Sequence, residues 1–309
     1  MKRRDFIKNT ALVSGGMIVS TSLFGQSEII LPSAVNTIKK TKKVTILHTN
    51  DTHSNIDPFP DNHAKFPGRG GVARRFSIIQ KIREEEEYVV LLDAGDIFQG
   101  TPYFNKFGGV LEMKLMKELG YDAATMGNHD FDGGMDGFLK AKQYANFPFL
   151  CSNYDFKNTV LDTQTQKNLI LKRGEVKIGV FGVGIELKGL VPSDKCGETI
   201  YSDPIEIANA QALELKNAGC DLVICLSHLG YEYLTDKLSD RILARKTKNI
   251  HLIIGGHTHT FLEKPMEEMN LDGNTVLINQ VGWGGINLGR IDFEIESKLF
   301  AKKEVLIIE

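Results

Sequence analysis

Short apolar runs alternate with longer amphipathic stretches along the chain from residue 43 onward. The runs have the length of buried strands, and the stretches repeat apolar residues at the period of a helix. This pattern predicts strands at 44–48, 88–93, 123–126, 177–182, 222–227, 251–255, 276–279 and 288–295. It predicts helices at 71–83, 110–119, 135–144 and 204–218. The alternation indicates an α/β fold, and the dense strands of the last third predict a second, more mixed sheet.

Polar side chains follow five of these predicted strands, at the point where each strand ends. They are Asp51 and His53, then Asp96, then Asn128 and His129, then His228, and last His257 and His259. A single Asp or His at a strand end is usually a turn or capping residue. Five such ends in one chain favour a shared site, because α/β proteins bind ligands at the carboxyl edge of the sheet.

The side chains at these strand ends offer oxygen and imidazole nitrogen, and no thiolate. That donor set suits Zn, Mn, Fe or Co. The donors are too many for a single tetrahedral ion, so the sequence predicts two divalent metal ions ~3.5–4 Å apart that share a carboxylate. Such a pair of ions serves the hydrolysis of phosphate esters.

The order of these residues resembles the calcineurin-like metallophosphoesterase superfamily. The matching strings are Asp51-x-His53, Gly95-Asp96, Gly127-Asn128-His129-Asp130, His228 and Gly256-His257-Thr258-His259. Longer strings at 47–54, 93–101 and 127–132 resemble its 5′-nucleotidase branch. The match spans about residues 43 to 295. It implies a single α/β domain with two packed β-sheets flanked by helices, a four-layer sandwich.

The resemblance also implies which residues hold each metal. For the first metal it implies Asp51, His53, Asp96 and His259. For the second it implies Asp96, Asn128, His228 and His257. The shared carboxylate would then bridge the ions, and a hydroxide between them would attack phosphorus in line.

His129 has a different role in the resemblance, because it is not a metal ligand. It would donate a proton or a hydrogen bond toward the leaving oxygen or the phosphoryl group, and Asp132 would be its carboxylate partner. Asp130 is left with either helix capping or support of the ligands. Trp283 stays open between a substrate platform at the rim and a packed turn.

The chain departs from the 5′-nucleotidase pattern at its end, Glu309, which falls where the catalytic domain of that branch would end. The branch carries a C-terminal domain that binds the base and the phosphate. We therefore expect either a separate substrate-binding chain or a domain that acts alone. The expected substrate is a small-molecule phosphate monoester, a 5′-nucleotide or related nucleotide. The alternatives are a thiosulfohydrolase-like relative and a non-catalytic metal-binding subunit of a two-chain nucleotidase.

Composition narrows the choice of partners. The 309 residues are 42% hydrophobic and 25% charged, with a net charge of -2. These values describe a globular chain without the basic surface that general binding to a nucleic-acid polymer requires. The four cysteines form no Cys-x-x-Cys motif, although a bridge between Cys220 and Cys225 or between Cys151 and Cys196 stays open.

The first residues resemble a twin-arginine export signal. Arg3-Arg4 is followed by Phe6, Lys8 and a modestly apolar stretch at 11–24. That stretch is too short and too polar for a stable membrane span, which needs ~20 apolar residues. We expect a signal peptide at 1–26, a linker at 27–42 and a metallophosphoesterase catalytic domain at 43–309, exported to the periplasm by the twin-arginine route.

Overall fold

Strand β1, Lys42–Thr49, lies inside the first of two large sheets. The computed structural model describes residues 42–295 and 299–309. The other strands of the first sheet are β2 Val89–Asp93, β3 Ala123–Ala124, β12 Asn287–Ile295 and β13 Leu299–Ile307. Their order is β13-β12-β1-β2-β3, in which β1, β2 and β3 are parallel and β12 is antiparallel to both of its neighbours.

The second large sheet is mixed, as predicted. Its strands are β5 Asn168–Arg173, β6 Val176–Gly184, β8 Leu222–His228, β9 Leu252–Gly255, β10 Met266–Met269 and β11 Thr275–Asn279. Their order is β10-β11-β9-β8-β6-β5, with a parallel centre and an antiparallel strand at each edge. Two short strands, β4 Tyr154–Asp155 and β7 Ile200–Tyr201, pair with each other.

Helices cover the outer faces of the two large sheets. They are α1 Val72–Glu85, α2 Pro102–Phe107, α3 Val110–Leu119, α4 Gly134–Lys142, α5 Ser193–Cys196, α6 Pro204–Asn217 and α7 Asp240–Lys246. Side-chain caps mark the starts of α2, α6 and α7. Asp203, for example, accepts hydrogen bonds from two backbone amides of the first turn of α6, and proline occupies the first helical position.

Apolar side chains of the described residues pack into a core between the sheets and a core on each outer face. Ile46 and Leu92 of the first sheet meet Ile224 and Ile254 of the second, and all four are fully buried. Leu47 points the other way, toward α1, α3 and α4, while α6 and α7 cover the outer face of the second sheet. Strands that are buried on both faces have continuous apolar sequences, and these sequences predicted the central strands. The predicted four-layer sandwich is confirmed.

Most predicted elements occur within two residues of their predicted bounds. The helix predicted at 110–119 is α3 itself, and the strand predicted at 123–126 is reduced to β3. Elements that the pattern did not predict are β4, β5, β7, β10, β13, α2, α5 and α7.

The proposed signal peptide and all but the last residue of the linker lie outside the described residues. In the part of the chain that is described, no helix combines the length and the apolar composition needed to cross a bilayer. Cys151, Cys196, Cys220 and Cys225 are all free thiols, so neither of the two possible bridges forms.

Candidate metal centre and catalytic residues

The predicted site residues lie at or just after the carboxyl ends of β1, β2, β3, β8 and β9. In chain order they are Asp51, His53, Asp96, Asn128, His129, Asp132, His228, His257 and His259. Because β1, β2 and β3 are parallel, and β8 and β9 are parallel, the loops within each sheet leave in the same direction. The structure brings all of these residues into one cluster.

The first donor group consists of Asp51, His53, Asp96 and His259, with one ligand atom from each within 4.8 Å of the others. Nε2 of His53 lies 3.0 Å from Nε2 of His259 and 3.8 Å from Oδ2 of Asp96. Nε2 of His259 lies 3.5 Å from Oδ1 of Asp51. Two imidazole nitrogens and two carboxylates around one point form a donor set that suits a divalent cation.

The second donor group consists of Asp96, His228 and His257, again within 4.8 Å of one another. Nε2 of His228 lies 3.0 Å from Oδ2 of Asp96. The side-chain oxygen of Asn128 lies 2.8 Å from Nδ1 of His257, which adds the predicted amide to this group. Asp96 belongs to both groups, so the two groups are contiguous.

Backbone carbonyls orient two of the imidazoles. Nδ1 of His228 lies 2.7 Å from the carbonyl oxygen of Ala94, and Nδ1 of His53 lies 3.1 Å from that of Phe98. A carbonyl only accepts, so each Nδ1 carries the hydrogen, and Nε2 is the atom that faces the carboxylates. Histidines that bind metals in proteins are held in this manner. The residues therefore fit a divalent cation.

The charge balance of the cluster also fits a cation. Burial lowers the pKa of His228, but Asp96 and Asp51 outweigh burial and raise that pKa to about 10. A proton on His228 thus balances the buried carboxylates in the metal-free chain, and a divalent cation at the same place would displace it. Burial, reinforced by the neighbouring His228, lowers the pKa of His257 to about 4, which keeps this imidazole in the neutral form that binds metals.

His129 and Asp132 form a pair beside the donor groups. Nδ1 of His129 lies 2.8 Å from Oδ2 of Asp132, and the backbone amide of His129 donates to Oδ1 of Asp96 at 2.7 Å. The rings of His129 and His53 meet edge to face with their centroids 5.3 Å apart. The imidazole is therefore next to the first donor group with its Nε2 left free by Asp132.

Asp130 supports the loop that carries Asp96. It is completely buried, and its carboxylate accepts from the backbone amides of Asp96, Ile97 and Gly127 at 2.8–3.0 Å, with a further amide at 3.2 Å. Burial raises the pKa of Asp130, and the backbone amides oppose that shift by stabilising the carboxylate. Of the two roles left open for Asp130, the contacts select support of a metal donor.

Two buried amide side chains, Asn50 and Gln280, had no role in the sequence-based interpretation. Nδ2 of Asn50 donates to Oδ2 of Asp51 at 2.6 Å and to the carbonyl of Gly282 at 2.7 Å. Nε2 of Gln280 donates to the carbonyl of Gly256, in the loop that carries two of the histidines. Gln280 directly follows β11, so the strand-end signal that found the donors would have found it too.

Comparison with known proteins agrees with this geometry. The family model for the calcineurin-like phosphoesterase matches residues 44–261. The chain belongs to the calcineurin-like phosphoesterase family. The matched span runs past His259, so it includes every predicted donor of this calcineurin-like domain.

The domain is similar to 5′-nucleotidases. It is 36% identical over 227 residues to a snake venom 5′-nucleotidase of Gloydius brevicauda, a match that covers 71% of this chain and 37% of the relative. It matches the structure of a 5′-nucleotidase precursor of Thermus thermophilus with a TM-score of 0.78 and 28% identity, covering 86% of this chain and 55% of that one. The chain therefore spans about half or less of the length of these relatives.

A more distant structure shares the fold alone. The sulfate thiohydrolase SoxB of Thermus thermophilus matches with a TM-score of 0.72 at 16% identity, covering 86% of this chain and 56% of that one.

Proposed function

We propose that this chain is an exported phosphoesterase that uses two divalent metal ions to hydrolyse phosphate monoesters, with a 5′-nucleotide as the preferred substrate. The observation that carries the proposal is that Asp96 belongs to both donor groups, because a single ion would need no shared carboxylate. The preference for a nucleotide rests on the similarity to 5′-nucleotidases.

The donor groups assign residues to each ion. The first ion would be held by Asp51, His53, Asp96 and His259, and the second by Asp96, Asn128, His228 and His257. When bound, these ions supply a nucleophile at neutral pH and stabilise the charge of the phosphoryl group.

The proton that the leaving group needs comes from His129 in this proposal. Burial lowers the pKa of His129, but its hydrogen bond to Asp132 and the charge of Asp96 outweigh burial and raise that pKa above its ordinary value. Asp132 fixes the Nδ1 hydrogen, so the Nε2 hydrogen is the one available to the leaving oxygen as the P–O bond breaks.

The two alternatives have less support. The likeness to the sulfate thiohydrolase extends to the fold and does not identify a sulfur substrate. A non-catalytic metal-binding subunit has no use for a proton donor, yet the His129 and Asp132 pair is intact and partly exposed to solvent.

A substrate panel on the full chain, reconstituted with Zn, Mn, Fe or Co, tests the proposal. The panel contains AMP, a cyclic nucleotide, a UDP-sugar, glycerol phosphate and a cysteine S-thiosulfonate. We expect AMP turnover that a chelator abolishes, with two metal ions bound per chain by elemental analysis. Cleavage of the thiosulfonate without any phosphatase activity would instead identify the sulfur chemistry. Efficient AMP turnover by the chain alone would argue against a separate substrate-binding chain, and cell fractionation tests periplasmic export.

A further inference from the structure

A cavity of about 480 Å³ is lined in part by the residues that follow His53 in the chain. We call it the side cavity. Its walls are the segment 55–60, the segment 101–103 at the start of α2, and Lys106. A volume of this size is in the range of small-molecule sites in proteins, roughly 300–1,000 Å³.

Hydrogen bonds fix the walls of the side cavity to the loop that carries His53. Nδ2 of Asn55 donates to the carbonyl oxygen of His53 at 3.0 Å. The hydroxyl of Thr101 donates to the carbonyl oxygen of Ser54 at 2.7 Å. A molecule bound in the cavity would therefore keep a defined position relative to the first donor group.

Aromatic rings also connect the side cavity to the donor groups. Phe59 lines the cavity and meets Trp283 edge to face, with ring centroids 5.4 Å apart. Trp283 lies parallel to the ring of His259 at a centroid distance of 6.0 Å. Trp283 is thus packed between a metal donor and the cavity wall, in agreement with the packed-turn interpretation of its sequence.

The chemistry of the walls suits a flat, partly polar organic group. Phe59 and Tyr103 provide aromatic rings, and Ile56 adds apolar surface. Asp57 provides a carboxylate that accepts from the hydroxyl of Tyr103 at 2.6 Å and retains further acceptor capacity, and Lys106 adds a donor. A nucleoside combines a stacking ring with hydroxyl and amino donors, which these groups can contact.

A second cavity, of about 750 Å³, lies where it cannot have the same role. It is lined by Cys220 and His251, which precede β8 and β9, whereas the donors follow the ends of those strands. An ester whose phosphate sits at the donor groups cannot reach it, because the length of both strands lies between.

We propose that the side cavity binds the nucleoside part of a nucleoside 5′-monophosphate, with Phe59 as the stacking surface and Asp57 as an acceptor for the sugar or the base. This inference rests on the proposed function, which places the phosphate at the donor groups. It gives the calcineurin-like domain its own determinant of substrate specificity.

The test compares Phe59→Ala and Phe59→Leu in the full chain, with Tyr144→Ala as the control. Tyr144 is also aromatic and is 42% exposed, and it does not line the side cavity. For Phe59→Ala we expect KM for AMP to rise about 10-fold or more, as loss of base stacking predicts, and KM for glycerol phosphate, which has no base, to rise less. Phe59→Leu keeps apolar volume without a ring and should show a smaller rise in KM.

Binding of adenosine to chelator-treated protein, measured by calorimetry, separates this inference from the proposed activity. We expect adenosine to bind the wild type and Tyr144→Ala, and to bind Phe59→Ala at least 10-fold more weakly. The inference would be overturned if Phe59→Ala raised KM equally for AMP and glycerol phosphate, or if adenosine bound Phe59→Ala as tightly as the wild type. Binding that depends on Phe59 without hydrolysis of any ester would keep the inference and refute the activity.

Discussion

His129 and Asp132 are more exposed to solvent than five of the seven proposed metal donors, which are buried. Their side chains are 39% and 30% exposed, whereas those of Asp51 and His228 are fully buried. A group that transfers a proton to a substrate must be reachable by that substrate, while a ligand that only holds an ion can be enclosed. Within the segment 127–132, exposure thus distinguishes His129 and Asp132 from the buried donor Asn128, although His259, a donor from another loop, is 41% exposed.

Replacement of His129 by alanine is expected to lower kcat roughly 10²- to 10⁴-fold, the usual effect of losing a general acid. The metal content should stay at the wild-type level, because His129 lies in neither donor group. Steady-state kinetics with AMP and elemental analysis of the same preparation check both statements. Loss of metal in proportion to the loss of activity would show that His129 is a ligand.

The sequence predicted which residues lie together at the candidate site, but not the backbone conformation of those residues. Five of the seven expected donors have positive φ: Asp51, His53, Asp96, His257 and His259. Such conformations cost about 1–3 kcal/mol each and persist only where the surroundings enforce them. Asp and His adopt positive φ more often than most residue types, but they also follow many strands in ordinary turns, so the sequence does not single out these positions.

The short loop from residue 127 to 132 acts as a unit through Asp130. Its carboxylate accepts hydrogen bonds from the backbone amides of both Asp96 and Gly127. A β-carbon on residue 127 would lie only 2.2 Å from Oδ1 of Asp96. The glycine is required by this close approach. Asp130 therefore joins the loops that follow β2 and β3, beyond the point at which the two strands pair.

Asp130→Asn is expected to weaken metal binding about 10- to 100-fold, the usual effect of changing a group that orients a ligand. The amide would place an NH₂ group against backbone N–H donors and loosen the Asp96 loop. Asp132→Asn is the matched control, since it makes the same change two residues away on a partly exposed side chain. Calorimetric titration with Zn or Mn should show weaker binding for Asp130→Asn alone. Equal affinities of the two variants would contradict the proposed support.

Two physical causes account for strands and helices that the sequence pattern missed. Strands β5 and β10 lie at the edges of the second sheet, and β10 has the sequence Met-Glu-Glu-Met. An edge strand is not covered on both faces, so it needs no continuous apolar run, and charged residues there discourage pairing with other chains. The helices missed, α2, α5 and α7, have four to seven residues, too few to show a helical period.

At the scale of the whole molecule, the two large sheets are linked by a polar contact as well as by their apolar core. His48 on β1 and Asn279 on β11 are both fully buried, and Nδ2 of Asn279 lies 2.9 Å from Nε2 of His48. The α/β fold class and the four layers could be predicted because strands that are buried on both faces have continuous apolar sequences. The pairing of two polar residues across the sandwich could not, since it depends on how the sheets are set against each other.

Burial lowers the pKa of His48 from 6.5 to about 3, so the folded chain keeps this imidazole neutral and able to accept from Asn279. Below pH 6.5 His48 is mostly protonated in the unfolded chain, whereas in the folded chain it stays neutral down to about pH 3. The contribution of His48 to stability is thus complete above pH 6.5 and falls as the pH is lowered through that window.

His48→Gln should therefore reduce the loss of stability in acid. Between pH 7 and pH 5 the free energy of unfolding of the wild type should fall by about 2 kcal/mol more than that of the variant, whose glutamine can still accept from Asn279 without titrating. Urea unfolding measures the free energy of unfolding of both proteins, and a chelator removes any contribution from metal binding. Other titratable groups contribute equally to the two proteins, so their effect disappears from the difference. His63→Gln, on a partly exposed loop, is the matched control and should follow the wild type. If His48→Gln loses as much stability as the wild type over this range, His48 takes up its proton at the same pH in the folded chain as in the unfolded chain, and the contact between the sheets must then accommodate a charged imidazole.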